Sequence, residues 1–445
     1  MWPFQPALSA FAAGTDTPSD FLECCLACID AHEADVGAFV HVNKDGARAA
    51  AARSTMRWKA GKPLSRIDGM PVGIKDIVET IDMPTEMGSP LYKGWRSGRD
   101  SASVAALREA GAVIVGKTVT TEFAATSPGR TRNPWDTART PGGSSSGSAA
   151  GVAAGMISAG LGTQVVGSIV RPASFCGCVG FKPSAGAINR GGSHDGLSQS
   201  AHGVLAASLE DAWNFCQAIA SRAGGDPGFP GLAGPEDMPR ATRPRTLAVL
   251  ETSGWALASD AAKAALEETV VRLHAAHIPI VRQRDNPLVG EVEQQLSKAR
   301  AITDAVNAWE SRWPLNTYRA RDAGALSKFM LERLAHAEAM TLEDYRRALG
   351  ERVRMRAAYT KLRPIADAAI TLSAIGAAPR GLVSTGNPVF AVAASALGVP
   401  AVSLPVLADE GLPLGLQVMG FEQEDAALVG IAAWLRDFVS GSDIA

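Results

Sequence analysis

Residues 141–150 read PGGSSSGSAA, from Pro141 to Ala150. Four serines and three glycines in ten positions suit two opposite structures. One is a floppy tether. The other is a rigid loop that uses glycine for shape and serine for chemistry. The next residues decide between them. Residues 148–162 read SAAGVAAGMISAGLG, which is small and apolar. A tether is flanked by polar residues and domain edges. This run instead predicts a buried helix with close neighbours, so residues 141–150 are read as a rigid loop.

Short apolar runs recur on both sides of the loop. Met70–Ile74, Ala112–Val115, Thr246–Leu250 and Ile278–Val281 are four of them. Ala369–Leu372, Ala401–Leu404 and Leu414–Val418 follow. Near-continuous apolar runs of this length predict strands covered on both faces. Helical stretches lie between them. Residues 102–110 form one, Asp260–Ala275 another, and a third starts at Ser208, with Asp211 in place for a capping box. Residues 290–362 read as mostly helical, and residues 223–245 as a Pro- and Gly-rich surface excursion. The alternation predicts an α/β fold, a mixed twisted central sheet covered by helices on both faces. One domain over residues 1–445 is expected, with 290–362 shaping the substrate mouth.

Composition narrows the function. The 445 residues are 46% hydrophobic and 20% charged, with a net charge of −2. No basic face is evident, so no nucleic-acid partner is expected. No run of 18 apolar residues exists, so no membrane span is expected. Six cysteines in a chain this long do not form a disulfide framework, and Cys25 and Cys28 read as a helix face rather than a zinc site. The opening MWPFQPALSAFAAG lacks the pattern of a secretion signal, which points to the cytoplasm.

The loop also matches G-x-S-x-G, the nucleophile elbow of α/β-hydrolases, with Ser145 in the attacking position. That reading needs a later Asp and His. His194, His202, His274, His277 and His336 all follow, but no motif singles one out.

A wider context gives a third reading. Downstream stand GTQVVGSIVRPA (162–173) and FCGCVGFKPS (175–184), and upstream GMPVGIKD (69–76). Near the C-terminus stand STGNP (384–388) and GLPLGLQ (411–417). Together these resemble the amidase signature family, whose members cleave amides with a Ser–cis-Ser–Lys triad. The resemblance implies Ser168 as nucleophile, Ser144 (in a cis peptide with Gly143) as proton relay, and Lys75 as terminal base. Lysine is a base only when neutral, and burial after the apolar Val72 and Ile74 would supply that. The N–H groups of Val165, Val166, Gly167 and Ser168 would form the oxyanion hole. No metal or organic cofactor is implied. The expected partner is a small amide substrate, and related enzymes suggest a homodimer.

Three departures stand out. Val165-Val166 replaces the usual Thr-Gly, and a β-branched residue resists positive φ, which predicts an altered hole. Ser146 stands where glycine is common. Arg171 follows Ser168 by three positions rather than two. With Gln164 and MPTEMGS (83–89), that spacing resembles the malonamidase branch, in which the arginine binds a substrate carboxylate. The competing expectation is a structural arginine paired with an internal acid. The implied activity is hydrolysis of a small carboxamide to carboxylate and ammonia, with an anionic half-amide or carboxylated urea as candidate substrate. The alternatives are the A subunit of a tRNA-dependent amidotransferase, an aryl or alkyl amide hydrolase, and a relative that only binds.

Overall fold

The computed structural model describes residues 1–441. Its centre is one sheet of eleven strands. In chain order they are β1 (Phe39–Val42), β2 (Pro71–Lys75), β3 (Val113–Thr118), β4 (Ala159–Gln164), β5 (Val179–Lys182) and β6 (Ala201–Ala206). Then come β7 (Leu247–Val249), β8 (Ile280–Val281), β9 (Ala368–Leu372), β10 (Ala401–Asp409) and β11 (Leu412–Met419). In space the order is β1-β3-β2-β4-β6-β5-β10-β11-β9-β7-β8. The sheet is mixed. β2 runs parallel to both β3 and β4, while β6, β5, β10 and β11 pair antiparallel. Helices cover both faces.

The predicted apolar strands are present and mostly buried, although Ile278–Val281 forms only the two-residue β8 with Val281 half-buried. Every residue of β2, β3 and β9 is buried, as two-sided coverage requires. The helix expected over 148–162 is the main correction. It runs only from Ser146 to Ala153, turns at Gly155 (φ +74°), and gives way to β4. The reason is contact distance. A Cβ on Gly160 would lie 2.7 Å from Ser148 Cβ, and one on Gly147 would lie 2.1 Å from Ala38 O. The small residues let this helix sit almost on the sheet, and the same smallness hides the strand.

The helix from Leu209 to Ala223 is capped by Ser208 Oγ, which accepts from Asp211 N–H at 3.0 Å. The expected capping box is incomplete. The Asp211 carboxylate turns instead to the N–H groups of Phe4 and Gln5, each at 3.0 Å.

Beyond β8, five helices span Pro287–Leu296, Ala299–Glu310, Arg312–Asp322, Lys328–Ala339 and Leu342–Thr360. They share an apolar core with the sheet, in which Val292, Ile302, Val306 and Tyr359 join Leu250, Ala369 and Val392. Tyr318 stacks on Phe123 at 4.5 Å between ring centroids, and Thr303 meets Gln199.

Candidate active site

The site lies at the C-terminal ends of two parallel neighbours. Val72, Gly73 and Ile74 of β2 pair with Ala159, Gly160 and Leu161 of β4. Lys75 therefore ends its strand beside Gly162 and Thr163. Open parallel sheets place ligands at such ends.

Lys75 is fully buried. Its Nζ donates to Ser144 Oγ at 2.7 Å and to Thr163 Oγ1 at 2.8 Å. Burial pushes its pKa from 10.5 down to about 7, and the charge of Asp195 only partly opposes this. The peptide Gly143–Ser144 is cis. Gly142, at φ +82°, leads into it, and a Cβ there would meet Pro172 Cα at 2.8 Å. Ser168 follows β4 on the loop before the helix Val170–Cys176, at 9% exposure. Its hydroxyl makes no hydrogen bond to another described residue. Lys75 and Ser144 are thus joined directly, while Ser168 stands free.

The loop Val165–Ser168 presents donors. None of its four N–H groups finds an acceptor among the described residues. Gln164 Oε1 holds the next two N–H groups, those of Ile169 and Val170, at 2.8 and 3.0 Å.

Arg171 is 5% exposed. Its Nη2 donates to Gly143 O at 2.7 Å and to Thr385 Oγ1 at 3.0 Å. Its Nε is buried without a partner. The internal acid expected of a structural arginine is missing: no carboxylate lies within 4.0 Å of this guanidinium among the described residues. Burial, with the charge of Arg300, pushes its pKa down to about 9. At neutral pH it remains a cation.

A family model described as Amidase matches residues 20–429. The chain belongs to the amidase family. Within that family, the A subunit of the glutamyl-tRNA(Gln) amidotransferase of Anaeromyxobacter sp. (strain K) is 33% identical over 97% of this chain and 95% of its own. A solved structure described as an amidase superposes with a TM-score of 0.85 at 27% identity, covering 98% of this chain and 99% of that one. The native peptide amidase of Stenotrophomonas maltophilia superposes at 0.79 and 26% identity, covering 98% and 97%. This amidase-family enzyme therefore acts on amide C–N bonds.

The elbow reading of this amidase fails on geometry. Ser145 turns into the sheet, where its Oγ donates to Thr163 O and accepts from Thr163 N–H, both at 3.3 Å. No histidine bonds to it. His202 is buried against Ser103 Oγ at 3.0 Å. The torsional objection to Val166 does not apply, because neither Val166 nor Gly167 has positive φ. β-Branching therefore meets no torsional obstacle there.

Sequence reasoning missed Thr163, Gln199, Thr385 and Ser395 as neighbours of the site. Thr163 and Thr385 lie inside recognisable motifs, so their position was a signal. Gln199 and Ser395 carried none, since only the folded sheet brings them to the loop. No helix among the described residues is long and apolar enough to cross a membrane.

Proposed function

We propose that this enzyme cleaves a small carboxamide bearing a carboxylate at its other end, through an acyl-enzyme on Ser168. Ser168 Oγ attacks the amide carbon, and its proton passes through Ser144 Oγ to neutral Lys75. The oxyanion meets the N–H groups of Val165–Ser168. The C–N bond breaks as Lys75 returns the proton to the amine, and ammonia leaves. Water then attacks the acyl carbon, its proton restores Ser168, and the acid is released.

The observation that carries the substrate class is the Arg171 guanidinium, buried beside the cis peptide with no acid to balance it. A buried charge is ordinarily paired. Nη2 already serves Gly143 O and Thr385 Oγ1, so a bound carboxylate would meet the Nη1 donors in a charge-assisted contact. The malonamidase-like half-amide is one such substrate. The helices between 287 and 360 would form the mouth of the pocket.

A second reading is favoured by the relatives. The full-length match is the A subunit of an amidotransferase. In that reading the same cleavage supplies ammonia to a partner protein, and the amide is the nitrogen donor. The relatives' names support this reading more than the first, while the unpaired arginine is compatible with both.

The test is ammonia release by the purified chain from malonamate, a carboxylated urea, a neutral aliphatic amide and an aryl amide. Turnover of the anionic amides is expected. Arg171→Ala should raise their KM roughly ten- to a hundredfold, the equivalent of losing a charge-assisted pair, and leave the neutral amides unaffected. Equal effects on all four would make the arginine structural. An inactive lone chain would support the amidotransferase reading.

A further inference from the structure

The carbonyls of the donor loop are each held from a different direction. Val165 O accepts from Gln199 Nε2 at 2.9 Å. Val166 O accepts from Ser395 Oγ at 3.0 Å. Gly167 O accepts from the backbone N–H of Arg171 at 3.1 Å. In a planar trans peptide the C=O and the following N–H point opposite ways. Fixing a carbonyl therefore aims the next residue's N–H. The three N–H groups aimed in this way belong to Val166, Gly167 and Ser168, and all three lack a protein acceptor among the described residues.

Two side chains from distant segments do part of this aiming. Gln199 is 2% exposed. Val165 O can only accept, so the amide must present Nε2 to it. The second Nε2 proton goes to Thr303 Oγ1 at 3.0 Å, on the helix Ala299–Glu310. Ser395 Oγ accepts from Gln164 Nε2 at 3.0 Å, which leaves its own proton for Val166 O. An acidic side chain at position 164 could not supply that donor. Glutamine there sets the direction of the Ser395 hydroxyl.

We propose that Gln199 and Ser395 are positioning residues of the oxyanion hole, turning the Val166 and Gly167 N–H groups toward the forming oxyanion. Through Thr303, Gln199 also ties the hole to the helical region. The inference rests on Ser168 as nucleophile.

A small alkyl fluorophosphonate tests both without knowledge of the substrate. Ser168 Oγ forms a bond to phosphorus, the P–F bond breaks and fluoride leaves. The serine proton passes to Ser144 and Lys75, and the phosphoryl oxygen occupies the hole. The labelling rate at Ser168, located by peptide mass, and the melting temperature are read together. Gln199→Met keeps the volume and removes the donor. It and Ser395→Ala should each slow labelling roughly ten- to a hundredfold, less than deletion of a hole donor. Thr303→Val should slow it a few-fold. The Gln199→Met/Thr303→Val double variant should be no slower than Gln199→Met alone, because the two share one contact. With an amide substrate, kcat should fall and KM stay. A purely structural role would lower the melting temperature and leave the labelling rate of folded protein unchanged. That result, with Ser168 labelled in the wild type, overturns the positioning role alone. A wild type labelled elsewhere, or unlabelled, or a Ser168→Ala variant labelled as fast, overturns the nucleophile and the inference with it. Where Gln199→Met does not fold, Ser395→Ala and Thr303→Val decide by the same criteria.

Discussion

The sheet end that holds Lys75 and the helical region from 287 to 360 obey different rules. The first is built of small, buried residues and polar groups with assigned partners. Ser144, Ser145, Ser148, Thr163 and Gln164 are all at most 1% exposed. The second carries exposed apolar side chains, with Trp313 at 72%, Val353 at 66% and Leu342 at 49%. Its polar and aromatic contacts toward the site include Tyr318 on Phe123, Thr303 on Gln199, and Glu310 on Ser198 N–H at 2.7 Å. Densely packed interiors feel a change of even one methylene, whereas exposed positions such as these usually absorb substitution. On the proposed function, the contrast would separate what must stay fixed for bond cleavage from what can vary with the amide.

The comparison can be broken at its strongest point first. Lys75→Ala removes the proposed base and leaves Ser144 Oγ without its buried donor. Activity should drop by roughly 10⁴-fold or more, as for other members of catalytic triads, in single-turnover assays on the best amide of the panel. Retained activity would remove Lys75 from the mechanism. The pH profile is the next test. As the proposed base Lys75 would work when neutral, and burial has brought its pKa to about 7. kcat/KM should therefore rise with pH through the neutral range, level off for a neutral amide, and for an anionic amide fall again near 9, where Arg171 gives up its charge. A profile still climbing toward the ordinary lysine range would mean that burial does not depress this amine. The smallest effect belongs to the outer layer. Tyr318→Ala deletes a stacked aromatic pair worth about 1 kcal/mol beyond its buried area. It should change KM by several-fold and leave kcat nearly untouched. An equal loss in kcat would erase the distinction between the two regions.

Much of this division was legible from residue types. β2, β3 and β9 announce themselves as apolar runs because both faces are covered. β4 (AGLGTQ) and β6 (AHGVLA) do not, since close backbone contact requires glycine where strand propensity favours branched residues. Lys75, Ser144, Ser168 and Arg171 could be named because each stands in a recognisable motif. Gln199 and Ser395 could not. Ser395 lies 229 positions from the carbonyl it holds, and no local pattern encodes that meeting. Asp211 misled for a related reason. Its spacing from Ser208 fits a cap, but the N-terminal segment competes for the same carboxylate and wins both of its oxygens.

On the proposed function, the unbalanced charge of Arg171 would also govern traffic after the bond is cut. In the proposed reaction the enzyme makes one product that becomes a cation and one that is an anion. Ammonium, once formed, is repelled from this end of the sheet. The acid would be held by the same guanidinium that drew the amide in. Nitrogen thus departs easily, and the acid is the product that accumulates in the pocket and competes with the next substrate.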